Sequence, residues 1–206
     1  MIVVWGRKNS LNLQKAMWAI GELGLAYERH DAGGPFGGLD TPEYLALNPN
    51  GRIPTLVDGE TVVWESNAVV RYLAAQYGSG SLWPEASGAR AAADAWMDWV
   101  ATTVIPDLNP AFWHLVRLPD GERDPAIVTA AAGALGKTFA ILDRHLQSRA
   151  YVGGDALTMG DMPAGAAVYR YLSMTIELPP LPAVQAYFER LKTRPAYCEH
   201  VMIPLS

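Results

Sequence analysis

Three small groups of residues carry polar chemistry in a chain that is 50% hydrophobic. Glu65 and Ser66 stand between a strand-like run and a helical one. The unpaired N–H groups of a helix start favour an anion there, and Ser66 adds a hydroxyl. Glu65 supplies a carboxylate for a neighbouring ammonium, so the pair suits the head group of an α-amino acid, which carries both charges. The same two residues also serve as helix cap and first-turn acid. The second group is Ile53-Pro54, inside NPNGRIPTLVDG from Asn48 to Gly59. Proline cannot donate to a strand ladder, so Pro54 belongs at the first residue of a strand or on an edge. A cis bond there turns the chain and opens the Ile53 N–H and C=O to an extended peptide. The third group is Asn9, Ser10 and Asn12 at the start of the first helical pattern, where such side chains cap helices and donate to anions alike.

Other chemistries find little support. The four histidines, His30, His114, His145 and His200, show no metal-ligand spacing, so no metal is expected. One cysteine, Cys198, excludes an internal disulfide, a CxxC pair and a multi-cysteine zinc site. It reads as a small buried residue, and thiol chemistry here needs a borrowed thiol. The segment AGGPFGGLD, Ala32 to Asp40, lacks the P-loop lysine and the dinucleotide spacing and reads as a flexible loop. A net charge of -5 and a pI near 5.3 give no basic footprint for nucleic acid. No unbroken apolar run approaches the ~18 residues that span a bilayer, and the first residues lack a signal-peptide pattern, which points to a cytoplasmic protein without a membrane partner.

The elements that must position these groups follow from periodicity. Ile2 to Trp5 is a short apolar strand; Leu13, Met17 and Ile20 repeat at helical spacing to a stop at Gly24; Ala26 to His30 is a second strand. Thr41-Pro42 starts a short helix, and two strand-like runs, Pro54 to Val57 and Glu60 to Trp64, are joined around Asp58-Gly59. A helix through Val70, Leu73 and Tyr77 ends at Gly78. Residues 1–79 therefore form an α/β domain of order β-α-β-α-β-β-α. A Gly, Ser and Pro linker leads to an all-α domain over 86–206, with one helix through Trp96 and Trp99 stopping before Pro106. A second helix begins at Asp124-Pro125, and a third near Thr158, where Thr158 and Asp161 have capping-box spacing. Trp96 and Trp99 belong to the core or to a subunit contact.

NPNGRIPTLVDG, WESNAVVRYL (Trp64 to Leu73), ALTMGDMPAGAAV (Ala156 to Val168) and LPAVQAYFERLKTRPAY (Leu181 to Tyr197) together resemble the cytosolic glutathione transferase family, serine-type and bacterial, theta- or zeta-like. The resemblance spans the chain. It implies a thioredoxin-like first domain, a cis-Pro54, and a glutathione site made by Arg52, Ile53, Pro54, Glu65 and Ser66. Ile53 pairs its backbone with the cysteinyl part, and Glu65 and Ser66 take the γ-glutamyl head. It also implies a homodimer that conjugates glutathione, as co-substrate, to a hydrophobic electrophile in detoxification.

A free thiol with a pKa of ~8.5 is mostly protonated at neutral pH, so such an enzyme must favour the thiolate. Family members use Tyr, Ser or Cys near the first helix. Here no tyrosine precedes Tyr27 and no cysteine precedes Cys198, which leaves Ser10 as catalytic hydroxyl and Asn12 as the alternative donor, with Arg7 and Lys8 adding charge. Leu11 and Asn12 replace the last two residues of the zeta-like Ser-Ser-Cys sequence, which counts against an isomerase. Phe112, Trp113, His114 and Tyr169 are the candidates for the second-substrate pocket between the domains. The competing readings are another glutathione-dependent reaction, isomerisation or peroxide reduction, and a noncatalytic protein that binds hydrophobic ligands on the same fold.

Overall fold

The computed structural model describes residues 1–177 and 179–206. Its first half runs β1 (Ile2–Trp5), α1 (Leu11–Glu22), β2 (Tyr27–His30), α2 (Pro42–Leu47), β3 (Thr55–Asp58), β4 (Thr61–Trp64) and α3 (Ser66–Tyr77). The sheet order is β2-β1-β3-β4, with β1 parallel to β2 and antiparallel to β3. β3 and β4 form a hairpin closed by Asp58 opposite Thr61, and Gly59 takes the φ of 60° that its tight loop needs. This is the expected β-α-β-α-β-β-α order.

α1 is the element on which both halves rest. It packs against α3 in its own domain and against the later helices α7 (Asp161–Ser173) and α9 (Pro195–His200). It is buried without a break from Leu13 to Ile20, so the polar Gln14 and Lys15 go inside with it. Trp18 sits in close contact with Tyr197, ring centroids 4.7 Å apart, and the Tyr197 hydroxyl donates to the Gly165 carbonyl at 2.9 Å. A Cβ at Gly165 would stand 2.7 Å from the Trp18 ring, so glycine is what lets α7 come this close. At the far end, Arg194 donates twice to Glu22, at 2.7 and 2.5 Å, which ties the C-terminal helices to α1.

The second half is helical: α4 (Ser87–Trp99), α5 (Ile105–Phe112), α6 (Pro125–Leu146), α7, α8 (Pro182–Lys192) and α9. The expectation of a helix that stops before Pro106 is corrected. The chain passes through a π-helical stretch at Val100–Val104 directly into α5, then through a second one at Trp113–Arg117. A proline removes one helical hydrogen bond and crowds the preceding turn; the wider turn just ahead of Pro106 accommodates both, so Pro106 reshapes the helix without ending it, and Pro110 lies inside α5. The result is a continuous wall from α4 to Arg117 that faces the first domain.

α6 also departs from expectation. It is 22 residues long, and an 18-residue window of it with a mean hydropathy of 1.5 is apolar enough by composition to cross a membrane. One face, with Leu135, Phe139, Leu142 and Leu146, lies in the core, where α6 packs against α5 and α8, while only 28% of the apolar window is buried. Thr158 and Asp161 pair as their spacing suggested. The buried Asp161 carboxylate accepts from the Thr158 N–H, the Val152 N–H and the Tyr187 hydroxyl at 2.8, 2.9 and 2.9 Å. Burial pushes this carboxyl up to about 6 against those donors. Cys198 is exposed, contrary to the buried position expected, because Tyr197, His200 and Val201 take the inward side of the α9 end. Trp96 and Trp99 are half-buried against the core, edge to face with ring centroids 5.0 Å apart.

Candidate functional site

Two clefts open beside the start of α1, and Asn12 and Ile105 line both. The first, of about 380 Å³, is bounded by Glu65, Ser66 and Asn67 at the start of α3, by Lys15 below, and by Asp98 of α4. The second, of about 180 Å³, is bounded by Ser10, Asn109, Phe112 and Trp113 together with arginine side chains. They form one continuous trough between the domains, with Asn12 at the junction.

The first cleft is built around a strained residue. Glu65 lies at φ 68°, ψ 115°, the one non-glycine residue with positive φ among the described residues. Such a backbone costs on the order of 1–3 kcal/mol and persists only where the surroundings hold it. Here it brings the Glu65 side chain to the cleft in front of the free N–H groups of α3. Underneath, Lys15 is buried at 2% exposure and donates to Asn12 Oδ1 at 2.9 Å and to Ser66 Oγ at 3.3 Å. Ser66 Oγ in turn donates to Asn12 Oδ1 at 3.2 Å. Burial pulls the Lys15 ammonium down to about 8, opposed by the Glu65 charge. The cleft thus offers a helix start and a cation to an anion, and a carboxylate to an ammonium.

At the junction, Ser10 caps α1 with extended backbone, and its Oγ accepts from the Leu13 N–H at a long 3.5 Å. Accepting leaves the hydroxyl proton untouched, and no partner among the described residues takes it, so it remains to give. The Asn12 Oδ1 is occupied by Lys15 and Ser66, which leaves the Nδ2 amide as its free donor among the described residues. Two donors therefore stand where a sulfur between the clefts could be met.

The peptide bond between Ile53 and Pro54 is cis, as the resemblance implied. The Arg52 carbonyl is fixed by the Tyr44 hydroxyl at 2.7 Å and the Asn48 side-chain amide at 2.8 Å, while the Arg52 side chain is exposed. Ile53 takes part in none of the turn and loop hydrogen bonds among the described residues, so its backbone stays available. Arg52, Ile53 and Pro54 line neither cleft.

Of the four residues expected around a second substrate, the structure brings two to the trough. Phe112 forms buried floor, and Trp113, 52% exposed, forms a wall. His114 and Tyr169 are corrections. The His114 ring accepts from the Asp124 N–H at 3.0 Å and holds the loop before α6, and the Tyr169 hydroxyl donates to the Ile203 carbonyl at 2.9 Å. Both are tied to neighbouring chain and line neither cleft. Missed from sequence were Lys15, Asn109, Arg117 and Arg170. The usable signal for Lys15 was its place in a helix apolar on nearly every side; the others come from segments about 100 to 160 residues from Ser10.

The chain matches the family description of the glutathione S-transferase N-terminal domain over residues 9–76 and of the C-terminal domain over 92–195. It is 40% identical over 208 residues to glutathione S-transferase GstB of Escherichia coli K12, covering 100% of both chains. It is 32% identical to glutathione S-transferase 3 of Zea mays, covering 98% of this chain and 94% of that one. Among solved structures it is similar to a theta class glutathione S-transferase of Xanthomonas axonopodis pv. citri with glutathione bound. That likeness has a TM-score of 0.96 and 48% identity, over 100% of this chain and 99% of the other.

Proposed function

This chain belongs to the glutathione S-transferase family, and from that premise we propose how its residues carry the reaction. It is a glutathione-dependent transferase of thioredoxin-like plus helical fold. Glutathione lies along the trough with its γ-glutamyl end in the first cleft. The α-carboxylate meets the α3 N–H groups and the Ser66 hydroxyl over the buried Lys15 charge, and the α-ammonium meets Glu65. The cysteinyl backbone pairs with Ile53 beside cis-Pro54, with Arg52 at the exposed rim, and the thiol reaches the junction at Ser10 and Asn12.

There the Ser10 hydroxyl donates to the sulfur, the start of α1 adds its dipole, and Asn12 is the second donor. Lowering a thiol by two units takes about 2.7 kcal/mol of preference for the anion, within reach of one charge-assisted hydrogen bond plus a helix terminus. The thiol proton leaves to solvent. The sulfur lone pair then forms the C–S bond to an electrophilic carbon in the second cleft, against Phe112 and Trp113, and the leaving group departs with its bonding pair. The protein contributes thiolate stabilisation and proximity, with no covalent enzyme intermediate. A cytoplasmic homodimer belongs to the same proposal, supported by family membership.

The observation that carries this reading is the pair of clefts meeting at Asn12, one fitted to an amino-acid head group and the other walled by aromatic rings. Steady-state conjugation of glutathione to an activated aryl chloride tests it. Turnover that saturates in glutathione, with a KM raised about tenfold or more in Glu65→Ala, is expected; glutathione binding without turnover would point to a ligand-binding protein instead.

A further inference from the structure

The second cleft is cationic as well as aromatic. Arg7 comes from the loop before α1, Arg117 from the end of the π-helical stretch and Arg170 from α7, and all three line it together with Ser10 and Phe112. No acidic side chain lines it, and none of the ion pairs among the described residues involves any of the three. Arg170 is 6% exposed, its Nε has no hydrogen-bond partner among the described residues, and its guanidinium lies 4.1 Å from the centre of the Phe112 ring. Arg117 lies 5.3 Å from the same ring centre. Arg7 donates to the Asn9 side-chain oxygen at 2.8 Å and Arg170 to the Asn9 carbonyl at 3.3 Å. Asn9 gives its own amide protons to Ser206, at 2.6 Å to the hydroxyl and 3.3 Å to the carbonyl oxygen.

Like charges gathered in a partly dry cleft without a counter-charge are costly, and an anion removes the cost. Burial and the two neighbouring guanidinium charges pull Arg170 down to about 9, the direction that an unneutralised cluster gives. Arginine also matches a carboxylate in shape, through two parallel N–H donors. The ring under two guanidinium groups gives such a ligand an apolar body to lie on.

We propose that the second cleft selects electrophiles that carry a carboxylate, bound by Arg7, Arg117 and Arg170 beside Phe112 so that the reactive carbon faces the thiol at Ser10. This inference rests on the transferase reading and specifies its second substrate. Cations of this kind do two things at once: they orient the electrophile, and they add a positive field near the thiolate.

The test uses two matched pairs on the full protein with glutathione present. Binding of 3-nitrobenzoate and of 3-nitrobenzamide, which do not react, is measured by calorimetry for the wild type, Arg117→Gln and Arg7→Gln. Turnover of 4-chloro-3-nitrobenzoate and of the corresponding amide is measured in parallel, each divided by its uncatalysed rate with glutathione. The acid is expected to bind about tenfold or more tightly than the amide, with the preference falling several-fold in each variant and with added salt. Equal binding of acid and amide, or a preference untouched by both substitutions, overturns the proposal. So does a substitution that raises the KM for glutathione while leaving the acid-to-amide ratio intact, because the cations would then serve the tripeptide. An acid preference with no turnover of either chloride upholds the anion site and removes the transferase reading alone.

Discussion

Replacing Lys15 by methionine tests the cost of a buried charge under the glutathione cleft. Lys15 is wholly enclosed, and burial lowers its ammonium from 10.5 to about 8 in the folded chain. At about 1.4 kcal/mol per pH unit, that difference corresponds to about 3 kcal/mol of stability. The sign follows from proton counts. Between pH 8 and 10.5 the unfolded chain still holds the proton that the folded chain has released, so the folded state gains on the unfolded one as pH rises. Below pH 8 both states hold it, and the folded state carries the full burden. Methionine keeps the length and most of the packing of the side chain and cannot titrate. Wild type minus Lys15→Met unfolding free energy should therefore climb by about 3 kcal/mol from pH 7 to pH 10.5. Urea unfolding followed by tryptophan fluorescence at intervals across that range reads it, and every other titrating group cancels in the difference. The same variant should bind glutathione about tenfold more weakly at pH 7, where the cation under Ser66 is lost. A difference that stays flat with pH, or falls, refutes the reasoning about the buried cation.

Glu65→Gly should separate binding from stability. Glycine accepts the φ of 68° without strain, so the chain gains about 1 kcal/mol in urea unfolding while the KM for glutathione rises about tenfold or more. Gly165→Ala should act through packing alone. Its Cβ meets the Trp18 ring at 2.7 Å and Leu191 at 2.8 Å, so a loss of about 1–3 kcal/mol and a lower Tm in calorimetry are expected.

The parts of the fold that were legible are those fixed by local physics. Thr41-Pro42 and Gly24 punctuate helices because their backbone conformations are restricted or permissive, and Gly78 because a Cβ there would stand 2.9 Å from the Ala74 carbonyl oxygen. Pro54 and Glu65-Ser66 stand at element junctions where backbone groups are left over. The misread Pro106 shows the limit. A proline argues for a stop only if the preceding turn cannot widen, and whether it does depends on packing from α6 and α7. The site divides in the same way. Ser10, Asn12, Glu65 and Ser66 each sit at a helix start that the sequence announces. Arg117 and Arg170 were invisible because a cationic cleft is a property of the π-helical stretch after α5, of α7 and of the first loop taken together. His114 and Tyr169 stand outside both clefts for a related reason: an aromatic ring beside a pocket-lining residue is as easily turned to a loop or a tail, where each makes a hydrogen bond.

The most direct test of the account is the ultraviolet thiolate absorbance of bound glutathione, titrated with pH in the wild type, Ser10→Ala and Asn12→Ala. The account predicts a thiol held about two units below its free value in the wild type and returned most of the way towards it in Ser10→Ala, with a smaller change in Asn12→Ala. An equally depressed thiol in Ser10→Ala would contradict it and leave Ser10 as the cap of α1 only.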